Sequence, residues 1–310
     1  MARYARVTTC AWGPGPPGDA DPVESNLGQA IETIDRAALD GGDLIVLSEL
    51  CAHRHMPAPA AHERAEAIPG PITERIGAAA RRHGCHVVFG MYERDGDRVH
   101  NAAVLIGRDG EVIGAYRKLF PTPGEIEEGV VPGTGAPVFE TDFGRVGMAI
   151  CWDLHFPREV GWPMAERGVQ LICWPSMYQG GFQLRVWAYL FGAYVVSAWG
   201  GHVCEIIDMN GYPLAATNYG CPFVSADVNF DREVFLRATA REKWEAIRER
   251  YGERITLELM HAQGTFSIAS ESDDLTVEQI ADEFGLDRRV PYYAHCRQLR
   301  EDALRKAGRR

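Results

Sequence analysis

Residues 44–50 read LIVLSEL, four consecutive apolar residues followed by a serine, a carboxylate and a leucine, and this stretch constrains the fold more than any other feature of the chain. Its length and composition are those of a buried strand rather than an alternating, half-wet one. The elements on either side supply layers to bury it. Ahead of it, "DPVE" at 21–24 puts an Asp at a helix cap, Pro in the first helical position and Glu three residues after the cap. Leu27, Ile31, Ile34 and Ala38 then continue one apolar face until "DGGD" stops the helix. Behind the run, Ile72, Ile76, Ala79 and Ala80 mark a second amphipathic helix ended by Gly84, and residues 86–118 read as strands joined by Asp-Gly turns.

The second half of the chain repeats this order. "RVGMAI" is strand-like and leads into a helix over about 157–167, "LICWPS" is a strand, "FQLRVWAYLFGAY" is helical, "VVSAW" is a strand and residues 202–218 make a hairpin. Two halves of β-α-β character, each finished by a hairpin, predict an α/β fold in which two sheets pack face to face with helix layers outside. No linker rich in Pro, Gly or Ser divides the chain, which favours one main body. We expect that body over 1–270, and over 271–310 a C-terminal helical tail packed on the body or on a partner subunit. Residues 232–310 as a whole read as mainly helical, charged and peripheral. The longest irregular stretch is 121–137, PTPGEIEEGVVPGTGAP, and long loops in compact domains are commonly functional.

Charge and cysteine usage narrow the chemistry. A formal net charge of -11 argues against nucleic acid as a main partner, because phosphate binding needs concentrated positive surface. No stretch approaches the roughly eighteen apolar residues of a membrane span, and the N-terminus lacks the apolar core of a signal peptide, so the expected location is the cytoplasm. The eight cysteines show no CxxC and no regular spacing, which suggests neither a disulfide framework nor a zinc ribbon. Cys151 and His155 are close enough in sequence to share a metal, but no second close pair completes a site, and no metal is expected.

Three residues at strand ends stand out: Glu49 in LIVLSEL, Lys118 in AYRKLF and Cys151 in AICWD. In open α/β sheets, chemistry collects beyond the carboxyl ends of strands. Each residue also has an ordinary reading: Glu49 and Lys118 as solvated surface charges, Cys151 as a small buried residue. In order, spacing and context the three resemble the catalytic glutamate, lysine and cysteine of the nitrilase superfamily of carbon-nitrogen hydrolases, with "PGTG" before the cysteine and "FPRE" after it. The resemblance covers about residues 4–230.

That resemblance implies a four-layer α-β-β-α sandwich and hydrolysis through a cysteine thioester, with no organic cofactor. It also implies a homo-oligomer. Cys151 would be the nucleophile and Glu49 the base, while Lys118 would favour the thiolate and hold the developing oxyanion. A second family glutamate maps onto Glu128, through the E-G-x-x-P-G arrangement in EIEEGVVPG, with Glu125 and Glu127 as competitors. Relatives commonly carry proline where Ser48 stands, and a Glu-Asn pair where this chain has YLFGAY. Trp152 and Asp153 after the cysteine lean towards a small amide or N-carbamoyl amine, with water as second substrate, over a nitrile. Leu154 and His155 replace the arginines that clasp carbamoyl amino acids in relatives, leaving Arg158 or Arg185 as substitutes.

Pocket candidates are Trp152, His155, Trp174, Met177, Tyr178 and Trp199, since pockets are apolar and aromatic with a few placed polar groups. His155 is either a second acid or base or a side chain hydrogen-bonded across a loop, and the aromatic residues are equally compatible with a core. Two rival readings remain. One is a binding-only member of the same fold. The other is a DNA-binding regulator using the helix-turn-helix-like segment 275–299, which is opposed by acidic crowding from Asp273 to Asp287 and by Pro291.

Overall fold

The computed structural model describes residues 4–237, 240, 242–260 and 262–308. One sheet contains β1 (Tyr4–Cys10), β2 (Leu44–Val46), β3 (His86–Asp95), β4 (Arg98–Ile106), β5 (Val112–Arg117) and, late in the chain, β12 (Phe223–Asn229). Its order is β12-β1-β2-β3-β4-β5. The second contains β6 (Val138–Glu140), β7 (Arg145–Met148), β8 (Leu171–Pro175), β9 (Tyr194–Ala198), β10 (Glu205–Ile207) and β11 (Pro213–Ala216), in the order β11-β10-β9-β8-β7-β6. In each sheet three adjacent central strands run parallel, and the hairpin strands are antiparallel.

Period-two geometry explains why the central strands are apolar throughout. Leu44 and Val46 of β2 face the second sheet in a core with Val146, Met148 and Ile172. Ile45 and Leu47 point the opposite way, onto α1 (Pro22–Ala38) and α3 (Pro71–His83), where they meet Leu27, Ile34, Ile72 and Ile76. The outer face of the second sheet is covered by α5 (Trp162–Glu166) and α6 (Phe182–Phe191) through Met164, Leu184 and Trp187. The architecture is thus an α-β-β-α sandwich. Asp21 caps α1 by accepting from the Glu24 N–H at 3.1 Å, and Gly84 ends α3 in the left-handed conformation, as the sequence signals require. The remaining helices of the body, α2 (Ala58–Glu63) and α4 (Pro123–Glu127), are short and lie in the connections after β2 and β5.

The C-terminal region departs from the helical expectation. Strands β13 (Arg232–Leu236), β14 (Ile255–Met260) and β15 (Thr265–Ser270) form a third, antiparallel sheet in the order β13-β15-β14. Helices α7 (Trp244–Tyr251) and α8 (Val277–Phe284) close a separate apolar core over it, built from Phe235, Ile247, Phe266, Ile268, Val277 and Ile280. Residues on both sides of the anticipated 270/271 boundary therefore share one core. In "REVFL" and "TFSIAS" short β-favouring runs sit between charged segments, and the high charge of the neighbourhood masked them. The apolar face of α8 is spent inside this core, and Pro291 falls within the first turn of α9 (Arg289–Lys306), where proline is tolerated. Arg289 is buried, donates to the Met209 carbonyl at 2.8 Å and lies 4.5 Å over the Tyr189 ring, fastening α9 to the body. Among the described residues no helix is long and apolar enough to cross a membrane.

One glycine shapes the edge where the site forms. The chain leaving β2 crosses β3 at Gly90, where a Cβ would stand 2.3 Å from the Leu50 nitrogen and 2.8 Å from the Glu49 Cα. Only a residue without a side chain lets Glu49 lie this close to the sheet. Gly90→Ala is expected to lower unfolding stability by about 1–3 kcal/mol in urea titration through enforced overpacking. An unchanged midpoint would show that the Glu49 segment shifts without cost.

Candidate active site

Glu49 follows β2 and Lys118 follows β5, both in the first sheet, while Cys151 follows β7 in the second. The sandwich brings all three to one end. Lys118 is 2% exposed and its Nζ lies 2.8 Å from Glu49 Oε1 and 2.8 Å from Glu125 Oε2. Asn101 of β4, also buried, donates through one amide nitrogen to Glu49 Oε1 at 2.8 Å and to Glu125 Oε1 at 2.7 Å. Two donors thus bridge the same two carboxylates, giving a closed ring. The ring is anchored by backbone: the Lys118 N–H donates to the Asn101 carbonyl and the Gly133 N–H to the Lys118 carbonyl, each at 2.8 Å. A side chain at Gly133 would collide with the Arg117 carbonyl, which accounts for the first glycine of "PGTG".

Glu125, not Glu128, is the carboxylate that the structure sets against Lys118. Glu128 caps the C-terminal end of α4 and is exposed, as is Glu127. The cause is local: Thr122 caps α4, Glu125 accepts the Thr122 N–H at 2.7 Å in return, and this capping box turns Glu125 inward. A TPGE sequence at 122–125 carries that signal, and the spacing of E-G-x-x-P-G drew attention away from it.

Charge states follow from the ring. Burial works against the Lys118 ammonium, but Glu49 and then Glu125 outweigh it and hold its pKa above the ordinary lysine value. Burial likewise opposes the Glu125 carboxylate, and Lys118 keeps its carboxyl below the usual range. Glu49 Oε2 receives no N–H or O–H donor among the described residues. The Cys151 thiol is raised by its burial and then by this carboxylate, while the Met177 backbone N–H works in the opposite direction.

Cys151 has a backbone φ of +47°, a left-handed conformation uncommon for a side chain of this kind, at the point where β7 gives way to a tight turn over Cys151–His155. Burial pushes its thiol up to about 12, the Glu49 carboxylate adds to the rise, and Lys118 only partly offsets both. At neutral pH the group is a thiol with an unoccupied carboxylate oxygen beside it.

Asp153 holds the turn. Fully buried, it accepts from the Ile150 N–H at 2.9 Å, the Phe120 N–H at 2.9 Å and the Tyr116 hydroxyl at 2.7 Å. Ile150 and Cys151 belong to the second sheet's side of the site, and Tyr116 and Phe120 flank Lys118 on the first. Asp153 therefore braces the nucleophile turn against the lysine segment.

The pocket candidates divide into two groups. Trp174 is buried behind the turn, and its Nε1 donates to the Cys151 carbonyl at 3.2 Å, with the Tyr178 hydroxyl reaching the same oxygen at 3.4 Å. Trp152, His155 and Tyr178 come together in front through their rings, with Trp152 39% exposed, and Met177 is 44% exposed. His155 bonds across the loop to Tyr178 at 3.4 Å and Gln183 at 3.2 Å, and Trp199 spends its ring N–H on the Val203 carbonyl. Arg185 is paired with Glu205 and Arg158 is exposed. Arg54, which sequence reasoning passed over, reaches Met177 from the first sheet's side. Among the described residues no group of three or more His, Cys, Asp or Glu is arranged to hold a metal ion.

Comparison with known proteins places this geometry in a family. Residues 13–215 match the carbon-nitrogen hydrolase family model. An omega-amidase of Xenopus tropicalis is 32% identical over 167 residues, covering 51% of this chain and 60% of that protein. A bifunctional nitrilase/nitrile hydratase of Lupinus angustifolius is 37% identical over 116 residues, covering 37% and 33%. The chain thus spans a third to three-fifths of the length of these curated relatives. Among solved structures, an amidase from Nesterenkonia sp. AN1 superposes with a TM-score of 0.64 at 21% identity, covering 80% of this chain and 97% of that one. Saccharomyces cerevisiae Nit3, a member of branch 10 of the nitrilase superfamily, does so with 0.66 at 19%, covering 80% and 94%. With the family model spanning well over half of its length, the chain belongs to the carbon-nitrogen hydrolase family.

Proposed function

We propose that this protein is a thiol amidohydrolase that cleaves a small, non-peptide amide or N-carbamoyl amine through a Cys151 thioester. The observation that carries the reading is the buried Cys151 thiol set in the field of Glu49, a carboxylate whose second oxygen has no hydrogen-bond partner among the described residues. Such a pair is a nucleophile with its base in place. As Sγ attacks the carbonyl carbon, Glu49 takes the thiol proton. The developing oxyanion lies against the Lys118 ammonium and the backbone following Cys151. Glu49 then delivers the proton to the departing nitrogen, the C–N bond breaks, and ammonia or amine leaves. A water molecule gives its proton to Glu49 and attacks the thioester. The C–S bond breaks, and the thiol recovers its proton as the acid departs. Lys118 keeps its charge throughout, because Glu125 stays ionised against it in the steps where Glu49 carries the proton.

The matched omega-amidase and amidase relatives support the amide reading. A nitrile substrate stands as the second reading, favoured by the nitrilase/nitrile hydratase relative; the same thiol would add to the nitrile carbon. Ammonia release across aliphatic amides, carbamoyl amines and nitriles separates the two. Cys151→Ala is expected to abolish release from every compound in the panel, and mass spectrometry of the wild type should show an acyl adduct on Cys151. Activity surviving in Cys151→Ala would sink the mechanism.

Because the thiol's pKa is raised, its thiolate is scarce at neutral pH and the population grows as pH rises. Modification of Cys151 by methyl methanethiosulfonate, followed by peptide mass mapping to separate it from exposed Cys221 and Cys296, is expected to accelerate about tenfold per pH unit from pH 7 to 9 without levelling. A plateau near pH 8.5 would mean that the thiol ionises like an ordinary one and that Glu49 is not needed as base.

Asp153→Ala strands two N–H groups and a tyrosine hydroxyl in a buried setting. It is expected to cost about 3 kcal/mol in stability and to reduce kcat more than it raises KM. A wild-type unfolding midpoint in this variant would remove Asp153 from the brace.

A further inference from the structure

Resting on the amidohydrolase reading, we infer that Trp174 and Tyr178 are positioning residues for the oxyanion: by holding the Cys151 carbonyl they aim the Trp152 N–H, the other end of the same peptide unit, at the oxygen that turns negative when Sγ attacks. The carbonyl accepts from Trp174 Nε1 at 3.2 Å and from the Tyr178 hydroxyl at 3.4 Å. A carbonyl oxygen has two lone pairs, and here two side-chain donors meet them. In a trans peptide the C=O and N–H are antiparallel and the unit is rigid, so fixing the oxygen fixes the direction of the N–H. That N–H is the first backbone donor after the nucleophile.

Both donors come from β8 and the chain leaving it, next to the strand that delivers Cys151. Trp174 is 1% exposed and sits within β8, opposite Ser197 of β9. Gly180, left-handed at φ +71°, brings the loop back over its ring, where a Cβ would stand 2.7 Å from the indole. Tyr178 packs edge-on against Trp174, with ring centroids 5.1 Å apart at 87°, and its N–H donates to the buried Ser176 hydroxyl at 3.0 Å. The two rings therefore form one unit, anchored independently of the turn it holds.

The direction of the Tyr178 proton is set as well. Gln183 Nε2 can only donate, and it faces His155 Nδ1 at 3.2 Å. The ring proton is then on Nε2, which faces the Tyr178 oxygen at 3.4 Å, and Tyr178 is left to donate to the Cys151 carbonyl. Cys151 needs such a grip, because a left-handed φ of +47° at a residue with a side chain persists only where its surroundings hold it. Asp153 secures the peptide units on either side of Ile150, accepting the Ile150 N–H at 2.9 Å and donating its own N–H to the Ile150 carbonyl at 3.0 Å. The next unit, between residues 151 and 152, is the one that the two aromatic donors hold.

The test separates a reaction of Cys151 that builds an oxyanion from one that does not. Propionaldehyde adds reversibly: the Sγ–C bond forms, the carbonyl π pair moves to oxygen, and the thiol proton passes through Glu49 to that oxygen. Methyl methanethiosulfonate is attacked at sulfur and loses methanesulfinate, with no oxyanion at carbon. Tyr178→Phe and Trp174→Phe are each expected to lower kcat on the best amide about tenfold and to weaken aldehyde binding equally, by calorimetry against a Cys151→Ala blank. KM and the rate of methanethiosulfonate modification should stay within about twofold of wild type. Trp174→Phe also hollows the core, so Tyr178→Phe decides. Aldehyde affinity unchanged in Tyr178→Phe overturns the assignment. So does a parallel loss of aldehyde binding and methanethiosulfonate modification, which would mean that the whole turn has moved, and so does a wild type that binds no aldehyde. Aldehyde binding that weakens in the variants of a protein hydrolysing neither amides nor nitriles would retain the positioning and defeat the amidohydrolase reading instead.

Discussion

The ammonium of Lys118, buried between two carboxylates, is the interaction on which the rest of the site depends. A lone charge at that depth would not survive folding, and a simple ion pair would recover only part of its lost hydration. Here Glu49 and Glu125 both contact Nζ, and Asn101 ties those carboxylates to each other. The ring leaves one more negative charge than positive in an apolar setting. Burial raises the Cys151 thiol first and the Glu49 carboxylate adds to the rise, so the group stays protonated and needs the glutamate as proton acceptor.

Much of this was legible in the chain, for reasons that can be named. LIVLSEL, RVGMAI and LICWPS are apolar because their strands have neighbours on both faces, and the residue that ends such a run is carried to a sheet edge. That places Glu49 and Cys151 from sequence alone. Capping chemistry was equally direct at Asp21 and Gly84, where one side chain or one φ value decides the outcome.

What escaped the reading depended on tertiary contact. Glu125, Glu127 and Glu128 differ little as letters, and the capping box that turns the first inward acts over three residues inside a loop with no other periodicity. Asp153 read as a substrate signal until its acceptors were seen to be spent on Ile150, Phe120 and Tyr116. Arg54 gave no signal, because an arginine in a loop is ordinary until its neighbours are known. The third sheet was hidden by charge: β13 and β14 face a small core on one side and carry Arg232 and Glu258 on the other, so their hydrophobic runs are short.

The site is divided between sheets: base and lysine end strands of one, and the nucleophile ends a strand of the other. The separation between thiol and carboxylate is consequently set by the thickness of the apolar filling between them, where Val46, Leu105, Val146 and Met148 interdigitate. Interiors packed to crystal-like density deform little and transmit what strain they receive. Mid-plane side-chain volume thus acts as the gauge of the reacting distance, so the inner core and the surface loops answer to different demands. Loops can vary with the compound accepted, while the filling stays fixed to a fraction of an ångström for any compound at all.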